Sequence, residues 1–338
     1  MPLQKSILVF VMKILGLDIG GANTKIAVLD NNKIDEELHY FPIWKRKDEL
    51  ELFIGKIVNR FLPDKIALTM TAEISDAFYN KREGVRFILN AVKRNFRIKN
   101  EIYVLTTDAE LISLKKIKEN YINIASANWT ATARYIAENY RTGILIDIGS
   151  TTTDIIPIKD GRIIAKGKTD MERLQNNELL YSGVLRTNVA TIVNSIPVRK
   201  RKTGVSSEYF AITADVYRIL NDITEKEYIC ETPDGRDKGI DECMARLARV
   251  ICADTEILNK NDIKEIATHL KKMQKMVIGD AIKKISDRTK INNVFICGIG
   301  GFLAEEAAND AGMLEIRKID ISTASALVKI LKSESTSI

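Results

Sequence analysis

Two carboxylates, Asp18 and Asp147, stand 129 residues apart in nearly the same surroundings. The first opens Asp18-Ile19-Gly20-Gly21-Ala22-Asn23-Thr24-Lys25, after the apolar Ile14-Leu15-Gly16-Leu17. The second opens Asp147-Ile148-Gly149-Ser150-Thr151-Thr152-Thr153-Asp154, after Gly143-Ile144-Leu145-Ile146. Glycine lets a backbone approach an anion closely, and consecutive amides can point at phosphate oxygens. A carboxylate at a strand end can hold Mg²⁺, usually through water. The chemistry suggested is a grip on a phosphate chain and its metal by two facing turns. Asp18 and Asp147 would serve the metal. The turn glycines Gly20, Gly21 and Gly149, with Asn23, Thr151 and Thr152, would donate to phosphate oxygens. A single Gly-rich turn says little; a matched pair at domain-scale separation says more.

Such turns need strands on both sides, and the pattern supplies them. Strands are expected over 13–17 and 25–29, and again over 144–147 and 154–158, making two hairpins. Further strands are expected over 33–40, 65–70, 102–105, 163–166, 294–297 and 316–319. Residues 48–61 carry a helical stripe of Leu50, Phe53, Ile54, Ile57, Val58 and Phe61. Helices are also expected over 85–96, 108–119, 130–139, after Thr213, over 241–258 and 262–288, from Phe302, and from a Ser322 cap to 331. The alternation is that of an α/β protein. Its length suits two domains, placed at 12–140 and 141–332. A third glycine cluster, Gly298-Ile299-Gly300-Gly301, follows one strand and opens a helix.

Composition narrows the function classes. Net charge is +6, mild enough to fit an anionic small molecule. The sharpest basic run, Arg199-Lys200-Arg201-Lys202, has no interleaved aromatics, so it reads as a solvated loop, and no nucleic-acid partner is expected. The four cysteines show no CxxC spacing and the two histidines, His39 and His269, lie in no motif. Reduced thiols in a cytoplasmic protein are expected, with no His triad and no zinc site. No apolar span is long enough for a membrane. Residues 1–11 read as a short extension, with Met12 as an alternative start. Homo-oligomerisation is left open.

The order hairpin, hairpin, strand–GxGG–helix resembles the superfamily of actin, sugar kinases and Hsp70 chaperones. That resemblance implies two ribonuclease-H-like (actin-like ATPase) domains with a cleft between them, and makes Gly298, Gly300 and Gly301 the nucleotide-facing loop. The loops look most like the hydantoinase/oxoprolinase branch. There Ala22 stands where a hydroxyl is usual, and Lys25 where an acid is usual, which argues against ordinary ATP hydrolysis. Thr69-Met70-Thr71-Ala72-Glu73, Ser126-Ala127-Asn128-Trp129, Tyr181-Ser182-Gly183 and Thr213-Ala214-Asp215-Val216-Tyr217 sharpen the resemblance to proteins linked to tetrahydromethanopterin C1 metabolism. Archaeal members look like the condensing enzymes of methanofuran biosynthesis. That family joins 5-(aminomethyl)-3-furanmethanol diphosphate to γ-glutamyltyramine through an ether, releasing diphosphate. The rival on the same fold is an ATP-dependent kinase or a hydantoinase/oxoprolinase-type hydrolase. The resemblance implies Mg²⁺ as cofactor, Lys25 and Asp154 as catalytic residues, and Glu73 as partner of the substrate's aminomethyl cation, with Asp76 a weaker form of the same idea. Lys25→Ala and Asp154→Ala are each expected to slow turnover with the fold intact.

Overall fold

The computed structural model describes residues 12–95, 101–117 and 121–336. The extension 1–11 lies outside the described residues, as do position 96 and positions 118–119 of two expected helices. The chain divides into two compact units, one running to Tyr135 and resuming at Ser322, the other spanning Ile136–Ile321.

The first unit is built on six strands: β1 (Ile14–Ile19), β2 (Asn23–Asp30), β3 (Lys33–Tyr40), β4 (Lys65–Met70), β5 (Glu101–Leu105) and β6 (Leu111–Ser113), in the order β3-β2-β1-β4-β5-β6. β1 runs antiparallel to β2 and parallel to β4. All six residues of β1 are buried, so its apolar run needs no alternation; a strand covered on both faces has no solvent side. On one side Leu50, Ile54, Ile57 and Val58 of the helix Leu50–Phe61 join Leu15, Leu17 and Ile19 in the core. The closing helix Thr323–Thr336 packs on β1, β2 and β4. Gly16 makes that approach feasible, since a Cβ there would strike the Ala324 carbonyl and sit 2.8 Å from Val328 Cγ2. The closing helix therefore belongs with the first sheet, although the sequence placed it with 141–332. Sequence order cannot show which sheet a terminal helix returns to.

A second correction concerns 108–119. Ala109 takes a left-handed φ of 63° and its amide closes a turn onto the Thr106 carbonyl at 2.9 Å. Leu111–Ser113 then pairs antiparallel with Tyr103–Leu105, followed by a 3₁₀ turn at Leu114–Lys116. The apolar residues there satisfy a sheet edge rather than a helix face.

The second unit repeats the layout with β7 (Gly143–Ile148), β8 (Thr153–Lys159), β9 (Arg162–Ile163), β10 (Leu179–Leu180), β13 (Asn293–Cys297) and β14 (Glu315–Lys318), ordered β10-β8-β7-β13-β14 with β9 on β8. Again the first strand, β7, is antiparallel to β8 on one side and parallel to β13 on the other. A 30-residue helix, Lys260–Thr289, starts from an Asn259/Asp262 capping box and packs on the helices Thr213–Ile219, Ile240–Arg249 and Gly301–Asp310. The expected helix over 241–258 is the shorter Ile240–Arg249.

The basic run is exposed to solvent, as expected, but it is not an irregular loop. It forms the turn and returning strand of a hairpin, β11 (Ser195–Val198) and β12 (Arg201–Gly204). Arg199 and Lys200 take φ of 48° and 64° at the turn. Arg199 Nη2 donates to Asp262 Oδ2 at 2.7 Å and to the Ile257 carbonyl at 2.9 Å. Lys200 and Lys202 line an open cavity of about 610 Å³ with His269 and Met273. Among the described residues, no helix is long and apolar enough to cross a membrane.

All four cysteines are free; Cys252 is exposed and the other three are buried. Burial pushes the Cys230 thiol up to about 11 and the Cys243 thiol to about 12, and raises Cys297 as well. The thiolate is the reactive form, and a group at about 11 is ionised in roughly one molecule per thousand at pH 8. A thiol-labelling time course on the native protein at pH 8 should therefore show one fast equivalent, abolished by Cys252→Ser. Three more should appear only in denaturant; a second fast equivalent in the native Cys252→Ser protein would contradict the packing.

Candidate active site

Each glycine turn closes with the same backbone hydrogen bond. The Gly20 amide donates to the Asn23 carbonyl at 3.0 Å, and the Gly149 amide to the Thr152 carbonyl at 2.9 Å. The registers match too: Asp18 lies opposite Lys25 across β1 and β2, and Asp147 opposite Asp154 across β7 and β8. Side chains opposite one another share a face of the sheet, so each hairpin presents a carboxylate and a second charged group together.

In the first unit that face carries Asp18, Lys25 and Thr69, the last opposite Asp18 on β4. Asn23, two residues from Lys25, shares it. Lys25 Nζ stands 3.6 Å from Asp18 Oδ2; its side chain is 42% exposed, that of Asp18 only 6%. Asn23 Oδ1 and Thr69 Oγ1 are buried with no hydrogen-bond partner among the described residues. Gly21 has open space where a Cβ would be. The turn is held from behind by the amides of Phe41 and Ile43, which donate to the Ala22 and Gly21 carbonyls, each at 2.9 Å.

Glu73 lies on the 3₁₀ turn Ala72–Ile74 after β4, and is buried. Ser126 Oγ donates to Glu73 Oε1 at 2.6 Å, so the Thr69–Glu73 and Ser126–Trp129 strings, far apart in sequence, meet. Asp76 is exposed. Trp129 is buried in the core at the start of its helix.

The second hairpin is braced more heavily. The amides of Val184, Leu185 and Arg186 donate to the carbonyls of Gly149 and Ser150 at 2.9–3.1 Å. Thr153 Oγ1 donates to the Ser182 carbonyl at 2.7 Å. Gly183 lies so close that a Cβ would come within 2.5 Å of Ser150 C and Thr151 N. Behind it, Gln274 Nε2 donates to Ser182 Oγ at 2.9 Å and to the Gly183 carbonyl at 3.0 Å, while Tyr217 Oη donates to Gln274 Oε1 at 2.7 Å. On the other flank, Gly298 at φ 83° lies against the Asp147 carboxylate. The Gly300 amide donates to the Ile148 carbonyl at 2.9 Å, and Gly301 opens the helix Gly301–Asp310. The structure thus gathers Asp147, Gly149, Thr151, Thr152, Asp154 and the 298–301 loop around one turn.

Two features here escaped the sequence. Tyr181-Ser182-Gly183 had no role, yet it packs on the turn backbone. Arg186 was not singled out; half-buried, it reaches 3.4 Å from Nη1 to Thr151 Oγ1. Asp215 is more than a helix cap. Its Oδ2 accepts from the Ile212 amide at 3.0 Å, while Oδ1 accepts from Arg246 Nε at 2.8 Å and Tyr228 Oη at 3.0 Å. Asp215 and Arg246 are both fully buried. Burial pushes the Asp215 carboxyl up against the pull of Arg246.

Asp154 differs from expectation. Arg173 Nη2 donates to Asp154 Oδ1 at 2.5 Å and to the Glu178 carbonyl at 3.0 Å, and the Arg173 side chain is 2% exposed. The aspartate is thus the counter-ion of a buried arginine.

The donors on these faces are hard: carboxylate, amide and hydroxyl oxygens, with no imidazole among them. Among the described residues no three His, Cys, Asp or Glu side chains gather as a metal set. In the first unit, the Asp18 carboxylate with the unsatisfied Asn23 oxygen on the same face fits a small hard cation that keeps most of its waters.

Residues 64–329 match the Hydantoinase/oxoprolinase family model. The chain is 40% identical over 328 residues to the (4-{4-[2-(γ-L-glutamylamino)ethyl]phenoxymethyl}furan-2-yl)methanamine synthase of Methanocaldococcus jannaschii, covering 95% of this chain and 98% of that one. A protein of the same name from Methanococcus vannielii is 38% identical over 211 residues, 59% of this chain and 95% of its own. Among solved structures, nucleotide-free acetone carboxylase superposes with a TM-score of 0.58 at 12% identity, over 94% of this chain and 69% of that one. That likeness concerns the fold alone, which is the expected α/β arrangement of ribonuclease-H-like units.

Because Asp154 neutralises Arg173, the two catalytic candidates separate in a stability experiment. Removing one partner of a buried pair costs about 3–5 kcal/mol, so Asp154→Ala should shift the urea midpoint strongly downward, and the expectation of an intact fold no longer holds for it. Lys25→Ala removes a half-exposed side chain and should cost about 1 kcal/mol or less. Equal midpoints for the two variants, followed by circular dichroism, would show that Asp154 does not carry the charge of Arg173.

Proposed function

The chain belongs to the hydantoinase/oxoprolinase family, and on that premise we propose that it is a transferase of methanofuran biosynthesis. It condenses 5-(aminomethyl)-3-furanmethanol diphosphate with γ-glutamyltyramine, forming an ether and releasing diphosphate. The observation that carries this reading is the end-to-end likeness to the M. jannaschii synthase, 40% identical over 95% of this chain and 98% of that one. The product in that synthase's name contains the phenoxymethyl ether that this condensation makes.

The bond changes are simple. The furanylmethyl C–O bond breaks and its electron pair leaves with the diphosphate. The furan ring spreads the resulting positive charge. The phenol oxygen attacks the methylene carbon and its proton goes to a base. The demanding part is stabilising the departing oxyanion, and preorganised charge is commonly the largest contribution to catalysis. When bound, Mg²⁺ would neutralise charge on the leaving diphosphate; Asp18 and Asp147 are the carboxylates, each on its own hairpin, suited to hold it.

Lys25, held beside buried Asp18, brings a cation to the oxyanion. Asn23, Thr151 and Thr152, with the amides around Gly20, Gly21 and Gly149, orient the phosphate oxygens. Arg173 fixes Asp154 through Oδ1, which leaves Oδ2 as the acceptor for the phenol proton. Glu73, buried and oriented by Ser126, is the counter-ion for the substrate's aminomethyl cation. Gly298 and Gly300 shape the backbone against Asp147 and Ile148, and Gly301 opens the helix that follows. Ala22 is buried and offers no hydroxyl, which sets this site apart from an ATP-consuming one.

Incubating the protein with both substrates and Mg²⁺, without nucleotide, should yield ether and diphosphate in equal amounts. Chelating the Mg²⁺ should stop it. A requirement for ATP, with ADP formed in step with product, would overturn this reading in favour of the kinase or hydrolase.

A further inference from the structure

We propose that Arg186 is a catalytic residue that binds the diphosphate leaving group at the second hairpin. The assignment rests on the transferase reading above. It comes from a difference between two turns whose backbones agree. They share the closing hydrogen bond and the register that puts a charged side chain opposite the strand-end aspartate. In the first turn that side chain is a cation, Lys25. In the second it is Asp154, and the arginine beside it, Arg173, is consumed in neutralising it at 2.5 Å. The face of the second hairpin therefore carries Asp147 and an internally balanced pair. No side chain opposite Asp147 plays the part that Lys25 plays opposite Asp18, so a cation for a multiply charged anion has to come from another segment.

Arg186 is placed to be that cation. Its backbone amide donates to the Ser150 carbonyl at 2.9 Å, inside the turn itself. Its guanidinium reaches Thr151 Oγ1 at 3.4 Å. The segment that delivers it cannot drift: Gly183 is pressed against Ser150 and Thr151, and the Thr187 side chain is tied to both the amide and the carbonyl of Gly183. Such anchoring fixes where the charge sits before any ligand arrives. The charge is also felt locally, since Arg186 offsets part of the rise that burial imposes on Tyr209 and Cys230. A planar guanidinium with paired donors suits phosphate oxygens better than a point charge does.

The bond chemistry follows the condensation already described. As the C–O bond breaks, the electron pair moves onto the bridging oxygen, and Arg186 donates N–H groups to the diphosphate while remaining charged throughout.

The test compares Arg186→Lys with Arg186→Gln, using inorganic diphosphate with Mg²⁺ as the probe in calorimetry, together with turnover and thermal melting. If the residue binds the leaving group, Gln should weaken diphosphate binding at least tenfold. It should also lower kcat/KM by roughly 10²–10³, while Lys retains a substantial part of both, and both variants melt near the wild-type temperature. If Arg186 only props the turn through Thr151, Lys and Gln should behave alike, and that result overturns the assignment. A wild-type protein that makes the ether, with equal diphosphate affinity in both variants, sinks the Arg186 role alone. A wild-type protein that makes no ether sinks the transferase reading on which it rests.

Discussion

The site depends on how closely backbone can approach backbone at the two glycine turns. In each, the first turn glycine donates its amide to a carbonyl three residues on, which holds the turn tight. The second turn is also pressed from two sides. Gly183 meets Ser150 and Thr151, and the 298–300 loop meets Asp147 and Ile148. Side chains at Gly183, Gly298 or Gly300 would occupy space already filled by backbone, carboxylate or core. Everything assigned to the second hairpin, from Thr151 to Arg186, keeps its place because these contacts leave no slack.

Charge is distributed with the same economy. Asp18 faces Lys25, Asp154 faces Arg173, and Asp215 faces Arg246, each within one unit. These pairs differ in what they can do. The Asp215–Arg246 pair is sealed, carries hydrogen bonds from Tyr228 and the Ile212 amide, and orients the helices around it. A sealed pair adds little net stability over an apolar substitute, but losing one partner strands a charge in the core. The Lys25–Asp18 pair is open on the lysine side, which is the arrangement a ligand-facing cation needs.

A ladder of side chains connects the long helix Lys260–Thr289 to the turn: Tyr217 to Gln274, Gln274 to Ser182 and Gly183, and Gly183 to the turn backbone. Polar groups buried this deeply are stabilising only when all their partners are present. The ladder explains why the Tyr181–Gly183 and Thr213–Tyr217 strings accompany the hairpins in this chain. They support the turn from behind.

Much was legible in the sequence because local chemistry fixes it. Strand–turn–strand with glycine at the turn can close in few ways, so both hairpins, the 33–40 and 65–70 strands and the GxGG helix start emerged from residue order alone. The resemblance carried by those same motifs identified the family. The sequence could not show where distant segments land. The closing helix returns to the first sheet through a glycine contact with Ala324, and Leu111–Ser113, within an expected helix, pairs instead as an edge strand beside β5. That Asp154 meets Arg173, 19 residues away, has no sign in the local spacing. Arg186, 35 residues beyond Thr151, had no local signal at all. Spacing and turn chemistry act over a few residues and can be read directly. Which charge meets which is set by packing across the sheet, and only the tertiary structure decides it.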